Sequence, residues 1–415
     1  MEKPVLRHYA GPVGSDHAPP PVFVLNMHAD YACRHSGACC TAGWDIPIEP
    51  GALRHLQAEL LAGRLAPRAA GHESPSPASA CFTTNTPPDG AAAVLRHDAA
   101  GACVFFDGKG GNLCAIQRDC GHQWLPVACQ QFPRLTLIDA RGVHVSLSHY
   151  CPTAAALLFR EPASPMAIVT NPDGPICRDT WVGFDATGTI PPLIRPGVVA
   201  DLEVAAAWEA FAVRTVDAGA RSPESGLARL SRAAEQVRAW KAGGESLSAH
   251  VARVLAAEAA SDDGPAVQMS VADAARLFDV AGATVPEGLP RPSLPAHLES
   301  IDASLVAPAW RGLARPIRRY LAARAFAAWS AYQGEGLRTQ VAVMAAALGV
   351  LRVEAIRQAA AAGRALDAPL LLEALRQSDL LLVHLSSGED VVRRLGGIEH
   401  VPADRQLTAL GLRPA

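Results

Sequence analysis

Lysine is almost missing from this 415-residue chain, occurring only at Lys3, Lys109 and Lys241. Arginine supplies the remaining positive charge, and a formal net charge of −3 leaves no basic field. Binding that neutralises a nucleic-acid backbone is therefore not expected. Aromatic residues make up only 5% of the chain, whereas 80 residues are alanine. That balance disfavours a β-sandwich rich in branched and aromatic side chains and favours helices packed through small residues. Apolar runs are short: the best, from Val341 to Leu351, falls below the ~18–20 residues of a membrane span and reads as a buried helix. Met1 to Pro12 lacks a charged segment followed by an apolar one, so no secretory signal is read there and a cytoplasmic protein is expected. No strand leads into a Gly-x-Gly-x-x-Gly turn; Gly108, Gly110 and Gly111 sit between two cysteines and read as turn glycines.

Cysteine is missing from everything after Cys177, and all ten cysteines lie at or before that point. Clustered cysteines in a reducing compartment point to metal or redox chemistry before structural disulfides. The composition break predicts a cysteine-rich domain over 1–177 and a Pro/Gly-rich connector over 178–198. An Ala-rich helical domain follows over 199–415. Within the first domain, the Pro-, Ser- and Ala-rich stretch near 67–100 reads as an irregular insertion. Helices are expected over 199–220, 224–242, 246–260 and 367–381. Two more follow from Ile317, Tyr320, Leu321 and Ala325, and from Val341, Met344, Ala345, Leu348 and Leu351. Arg311, Arg315 and Arg318 fall on another face, read as solvated. The fold class expected is mainly α: a cysteine-rich metal unit with small β-hairpins, then an all-α bundle.

Seven thiols are placed for metal binding: Cys33, Cys39, Cys40, Cys103, Cys114, Cys129 and Cys151. Adjacent Cys39 and Cys40 make a strained disulfide but comfortable thiolate ligands, and Gly37 permits the tight turn before them. Cys103 and Cys114 flank a Gly-rich turn, so symmetric hairpin pairing brings them to one end. Counting outward from Asp139-Ala-Arg-Gly142 brings Cys129 near Cys151; Val143, Val145 and Leu147 alternate with His144, Ser146 and Ser148 as a strand with one buried face. A tetrahedral zinc or a [4Fe–4S] cluster takes four such ligands. His35, His122 and His149 lie near enough in sequence to assist, Trp44 reads as a core lid, and Cys81, Cys120 and Cys177 read as free thiols.

Tyr31-Ala-Cys33-x-x-Ser36-Gly37-x-Cys39-Cys40, Cys103-Val-Phe-Phe, Leu113-Cys114-Ala-Ile and Cys129-Gln-Gln-Phe132-Pro133 resemble the YkgJ-type cysteine-cluster proteins, described as zinc- or iron-chelating domains. Cys40-x-x-Gly43-Trp44, Leu125-Pro126, Cys129-x-x-Phe132-Pro133-Arg134 and Ser146-Leu-Ser-x-x-Cys151-Pro152 look similar to the flagellin lysine-N-methylase (FliB-like) branch. Ile194-Arg195 and Tyr320-Leu-x-x-Arg324-x-Phe326 extend that likeness into the helices. The resemblance implies S-adenosylmethionine as methyl donor and protein lysines, such as those of flagellin, as substrate. Ser36 stands where the simple cluster proteins carry a second cysteine. The non-enzymatic alternative is a zinc-stabilised interaction protein. No membrane partner is expected under any of these readings. Arg134 is the charged residue of the motif, read as an ion-pair former or a carboxylate binder.

Overall fold

The computed structural model describes residues 7–9, 20–67, 80–83, 87, 90–108, 111–161, 164–171, 181–188, 191–217, 221–261, 267–287, 289, 291–396 and 412–414. Helix accounts for about 54% of the chain and strand for about 12%, so the protein is mainly α. Two compact units interleave along the sequence. The smaller one comprises Ala32–Arg134 and returns for Cys151–Thr153; the larger comprises Met1–Tyr31, Leu135–Tyr150 and Ala154–Ala415. The unit boundary therefore does not coincide with the break expected at 178–198, whose described part carries strands at Trp181–Asp185, Leu193–Arg195 and Val198–Val199.

In the larger unit the expected helices form at Leu202–Asp217, Pro223–Arg238, Leu247–Ala260, Ala314–Ala325 and Ala368–Asp379. Their starts follow capping chemistry: Ser222, Ser246 and Asp367 each accept a backbone N–H three residues on, satisfying a donor that the helix leaves open. The central helix is Leu337–Ala362, 26 residues long and, by length and hydropathy alone, able to cross a membrane. It is instead a core helix, because 83% of its most apolar window is buried inside the protein. Small residues let its neighbours approach: a Cβ on Gly349 would lie 2.9 Å from the Leu277 side chain.

A six-stranded mixed sheet belongs to the same unit, in the order Arg7–Tyr9, Trp181–Asp185, Arg134–Asp139, Gly142–Leu147, Val22–Leu25 and Ile168–Thr170. The hairpin around Asp139–Gly142 forms as expected, but its second strand does not have a single buried face. His144 is 2% and Ser146 8% exposed, so all of Gly142–Leu147 is covered. His144 is accommodated by stacking on Phe23 and by a bond from its Nε2 to Asp139. The 199–415 stretch is not purely helical either, since Val267–Met269 pairs antiparallel with Leu412–Pro414.

The smaller unit is built around a helix, Pro50–Leu61, and a three-stranded antiparallel sheet, Pro47–Ile48, Ala93–Leu95 and Phe82–Thr83. Two of those strands lie in the stretch expected to be irregular; Leu95 is opposite Phe82 and both are buried, so apolar residues order it despite its composition. Ile48, Leu56, Phe105 and Ile116 form the middle of this unit's core.

Candidate metal centre

The first cysteine group is shaped by Gly37, which adopts φ +75° and against which the Phe106 ring packs where a Cβ would stand. The chain then makes a single 3-10 turn, Ala38–Cys40. Cys39 and Cys40 bring their Sγ atoms to 3.9 Å. Two thiolates on one tetrahedral zinc, at Zn–S of about 2.3 Å, would stand roughly 3.8 Å apart. The Cys40 carbonyl accepts the Cys103 backbone N–H at 2.7 Å, tying the first cysteine group to the second.

Cys103 and Cys114 do not meet by symmetric pairing. The short ladder sets Phe106 opposite Cys114 and Asp107 opposite Leu113, a register three residues away from the expected one. The shift arises because the chain turns at Cys103, whose carbonyl accepts the Phe106 N–H. Both thiols nonetheless end in the same apolar cluster as Cys40, Cys120 and Cys129.

Electrostatics show which thiols are neighbours. Cys40 interacts with Cys39, Cys114 and Cys103; Cys129 interacts with Cys103, Cys114 and Cys39. Burial pushes Cys103 up to about 12 and raises Cys114 and Cys129 above the ordinary thiol range. The hydrogen bond within the vicinal pair lowers Cys39 and raises Cys40, so the pair favours one thiolate. Cys40, Cys103, Cys114 and Cys129 are thus held protonated unless a nearby cation compensates, while Cys39 is the thiolate that the site favours. Among the described residues, no three His, Cys, Asp or Glu side chains stand at distances that hold a metal ion. The donor chemistry fits zinc or iron; the spacing fits only at Cys39 and Cys40.

The other candidates lie as follows. Cys33 is exposed, with the His35 Nδ1 at 3.9 Å from its Sγ. Cys151 is buried and folds with the cysteine unit although the residues on either side of its short segment fold with the other. His122 is exposed. His149 belongs to the larger unit, where it meets Asp379. Trp44 packs beside the thiols against Phe132, at a ring separation of 5.4 Å. Arg134 is half-buried at the start of its strand. Cys81 is a free, fully buried core thiol, pushed up to about 11 by burial. Cys177 lies outside the described residues. Of the arginine face, Arg315 pairs with Glu161.

A second polar group was missed by sequence reading. Asp379, 1% exposed, accepts the Tyr320 hydroxyl at 2.8 Å and has Arg324 at 3.7 Å. Burial alone would raise this carboxyl, but His149 and Arg324 hold it at about 2. Ser148 and His384 share a hydrogen bond of 2.7 Å nearby in sequence. The available signal was the stripe Leu371, Ala374, Leu375, Ser378 and Asp379, which puts an acid on the buried face of its helix.

Compared with protein-family models, with curated proteins and with solved structures, the chain matches none.

Proposed function

We propose that the chain is a cytoplasmic metal-binding protein whose smaller unit holds zinc or an iron–sulfur cluster on cysteine thiolates. The observation that carries this reading is the gathering of Cys40, Cys103, Cys114 and Cys129 in one apolar cluster, with the Cys39 Sγ 3.9 Å from that of Cys40. Cys33 and Cys151, in the same unit, complete the set of seven candidates. Soft thiolate donors select zinc, copper(I) or iron–sulfur centres over hard cations. Anaerobic purification followed by metal and sulfide analysis tests the proposal. Zinc or iron near stoichiometry, lost together in Cys39→Ser and Cys103→Ser, is the expected result. A metal-free chain with all five thiols titratable would overturn it.

A second reading adds chemistry to the metal: methyl transfer from S-adenosylmethionine to a protein lysine. It is favoured by Tyr320 and Arg324, which lie in the segment resembling the flagellin lysine-N-methylases and both reach Asp379. An incubation with labelled S-adenosylmethionine and flagellin separates this reading from a purely structural zinc module that folds an interaction protein. Label in lysine supports the enzyme; a zinc-dependent fold without transfer supports the module.

A further inference from the structure

The larger unit contains two buried imidazoles whose ring nitrogens the rest of the fold does not use. His28 lies in the short helix Asn26–Ala29 and is 5% exposed; His149 follows the strand Gly142–Leu147 and is 1% exposed. Both ring nitrogens of His28 and both of His149 are buried without a hydrogen-bond partner. The two ring centres stand 5.5 Å apart, tilted by 50°. Buried polar atoms left unpaired carry their full desolvation cost, so an orphan set of this size calls for a ligand.

We propose that His28 and His149 bind a divalent first-row cation of the zinc class between their rings, at a site separate from the cysteines. Three observations converge on this. First, Asp379 stands behind His149, with Oδ2 3.3 Å from Nδ1 and accepting the His149 backbone N–H at 2.6 Å. A carboxylate this close, though outside hydrogen-bond geometry here, favours a proton on the near ring nitrogen and leaves the far one for a metal, as behind a ligating histidine. Second, Tyr320 and Arg324 occupy the other carboxylate oxygen, so Asp379 is held as a positioning group and not as a ligand. Third, the ring separation is right. Zn–N bonds of about 2.0–2.1 Å at a tetrahedral angle place two ring centres roughly 5–6 Å apart.

Burial also lowers the His28 pKa well below the ordinary range, with the neighbouring His149 adding to the shift, which leaves a lone pair on His28 to donate. Imidazole donors suit zinc, copper, nickel and cobalt, not magnesium or calcium. His384, the other imidazole of this region, is engaged by Ser148. Among the described residues no third acid, thiol or imidazole completes the set, so the remaining positions belong to water or to an exogenous ligand.

The test is a cobalt(II) titration of the full chain followed by absorption spectroscopy. Cobalt on thiolate gives an intense sulfur-to-metal charge-transfer band, whereas cobalt on imidazole and water gives only weak ligand-field bands. One equivalent of the second kind is expected. It should weaken at least tenfold in His28→Gln and in His149→Gln, and persist in Cys39→Ser and Cys103→Ser. Retention of that equivalent in both histidine variants, or its loss in the cysteine variants alone, would overturn the proposal. The cysteine reading fails separately, by the missing charge-transfer band. Should the histidine variants not fold, the wild-type chain still decides: zinc should shift the imidazole NMR signals of His28 and His149. Unshifted signals, with an ordered water between the rings, would show the pair to be a hydrated core feature.

Discussion

Asp379 accepts the backbone N–H of His149 at 2.6 Å, a hydrogen bond that closes 230 positions of sequence. The same carboxylate takes the Tyr320 hydroxyl and faces Arg324, so one acid fastens a strand end and two helices of the larger unit. Removing one partner from a buried ionic group leaves the others uncompensated. Asp379→Ala is therefore expected to cost about 3–5 kcal/mol in urea unfolding. Asp379→Asn keeps an acceptor and should cost roughly 1–3 kcal/mol. Equal losses from the two variants would show that the charge contributes nothing.

His384 gives this unit an acid-sensitive limb. Burial lowers its folded pKa to about 4, against an unfolded value near ~6.5. The unfolded chain binds the proton first, so stability is full above pH ~6.5 and falls as pH drops toward 4. His28, also lowered by burial, pushes in the same direction. Equilibrium unfolding between pH 7 and 4 should lose on the order of 2–3 kcal/mol through His384. His384→Gln should flatten that part of the profile; an unchanged slope would remove His384 as its source.

The helices were legible because apolar periodicity is local: Ile317, Tyr320, Leu321 and Ala325 follow one stripe and all are buried. The sheet was not legible, since its strands are short and pair across long stretches, as Val22–Leu25 does with Gly142–Leu147. Alternation at Val143, Val145 and Leu147 was real, but periodicity cannot reveal that the polar face is covered as well. Asp379 and His384 escaped for a related reason. An acid or imidazole near a helix end reads as solvated until the partner from a distant segment is known. That Cys103 and Cys114 end together was legible, while their register was not, because the turn at Cys103 displaces what symmetry predicts; Cys81 and Cys120, set apart by sequence, pack in the same cluster.

Gly336 starts the central helix with φ +65° and ψ −119°, a conformation closed to residues bearing a Cβ. A Cβ there would also collide with the Leu193 carbonyl oxygen. Gly363 ends the same helix in an ordinary left-handed cap, φ +61° and ψ 27°, with open space around it. Gly336→Ala should cost more than about 2 kcal/mol and Gly363→Ala about 1 kcal/mol. Thermal denaturation of the two variants checks the order, and a reversed order would place the strain elsewhere.

Thiol reactivity in the metal-free chain follows exposure and thiolate access, and gives a direct map of the cysteine unit. Cys33 is exposed and should react first with a chromogenic disulfide reagent at pH 8. Cys81 and Cys103, buried and raised to about 11 and about 12, should stay unreactive until the chain unfolds. Cys39, lowered by its hydrogen bond with Cys40, should react before Cys40 does. Adding zinc should then protect Cys39, Cys40, Cys114 and Cys129 as a group, because a coordinated thiolate is not free to attack. Cys120, half-buried and read as a free thiol, should be indifferent to zinc. Mass spectrometry of the labelled peptides reads each cysteine separately. Protection that spreads evenly over Cys120 and the four would mean that zinc merely tightens the fold, and the thiols would lose their role as ligands.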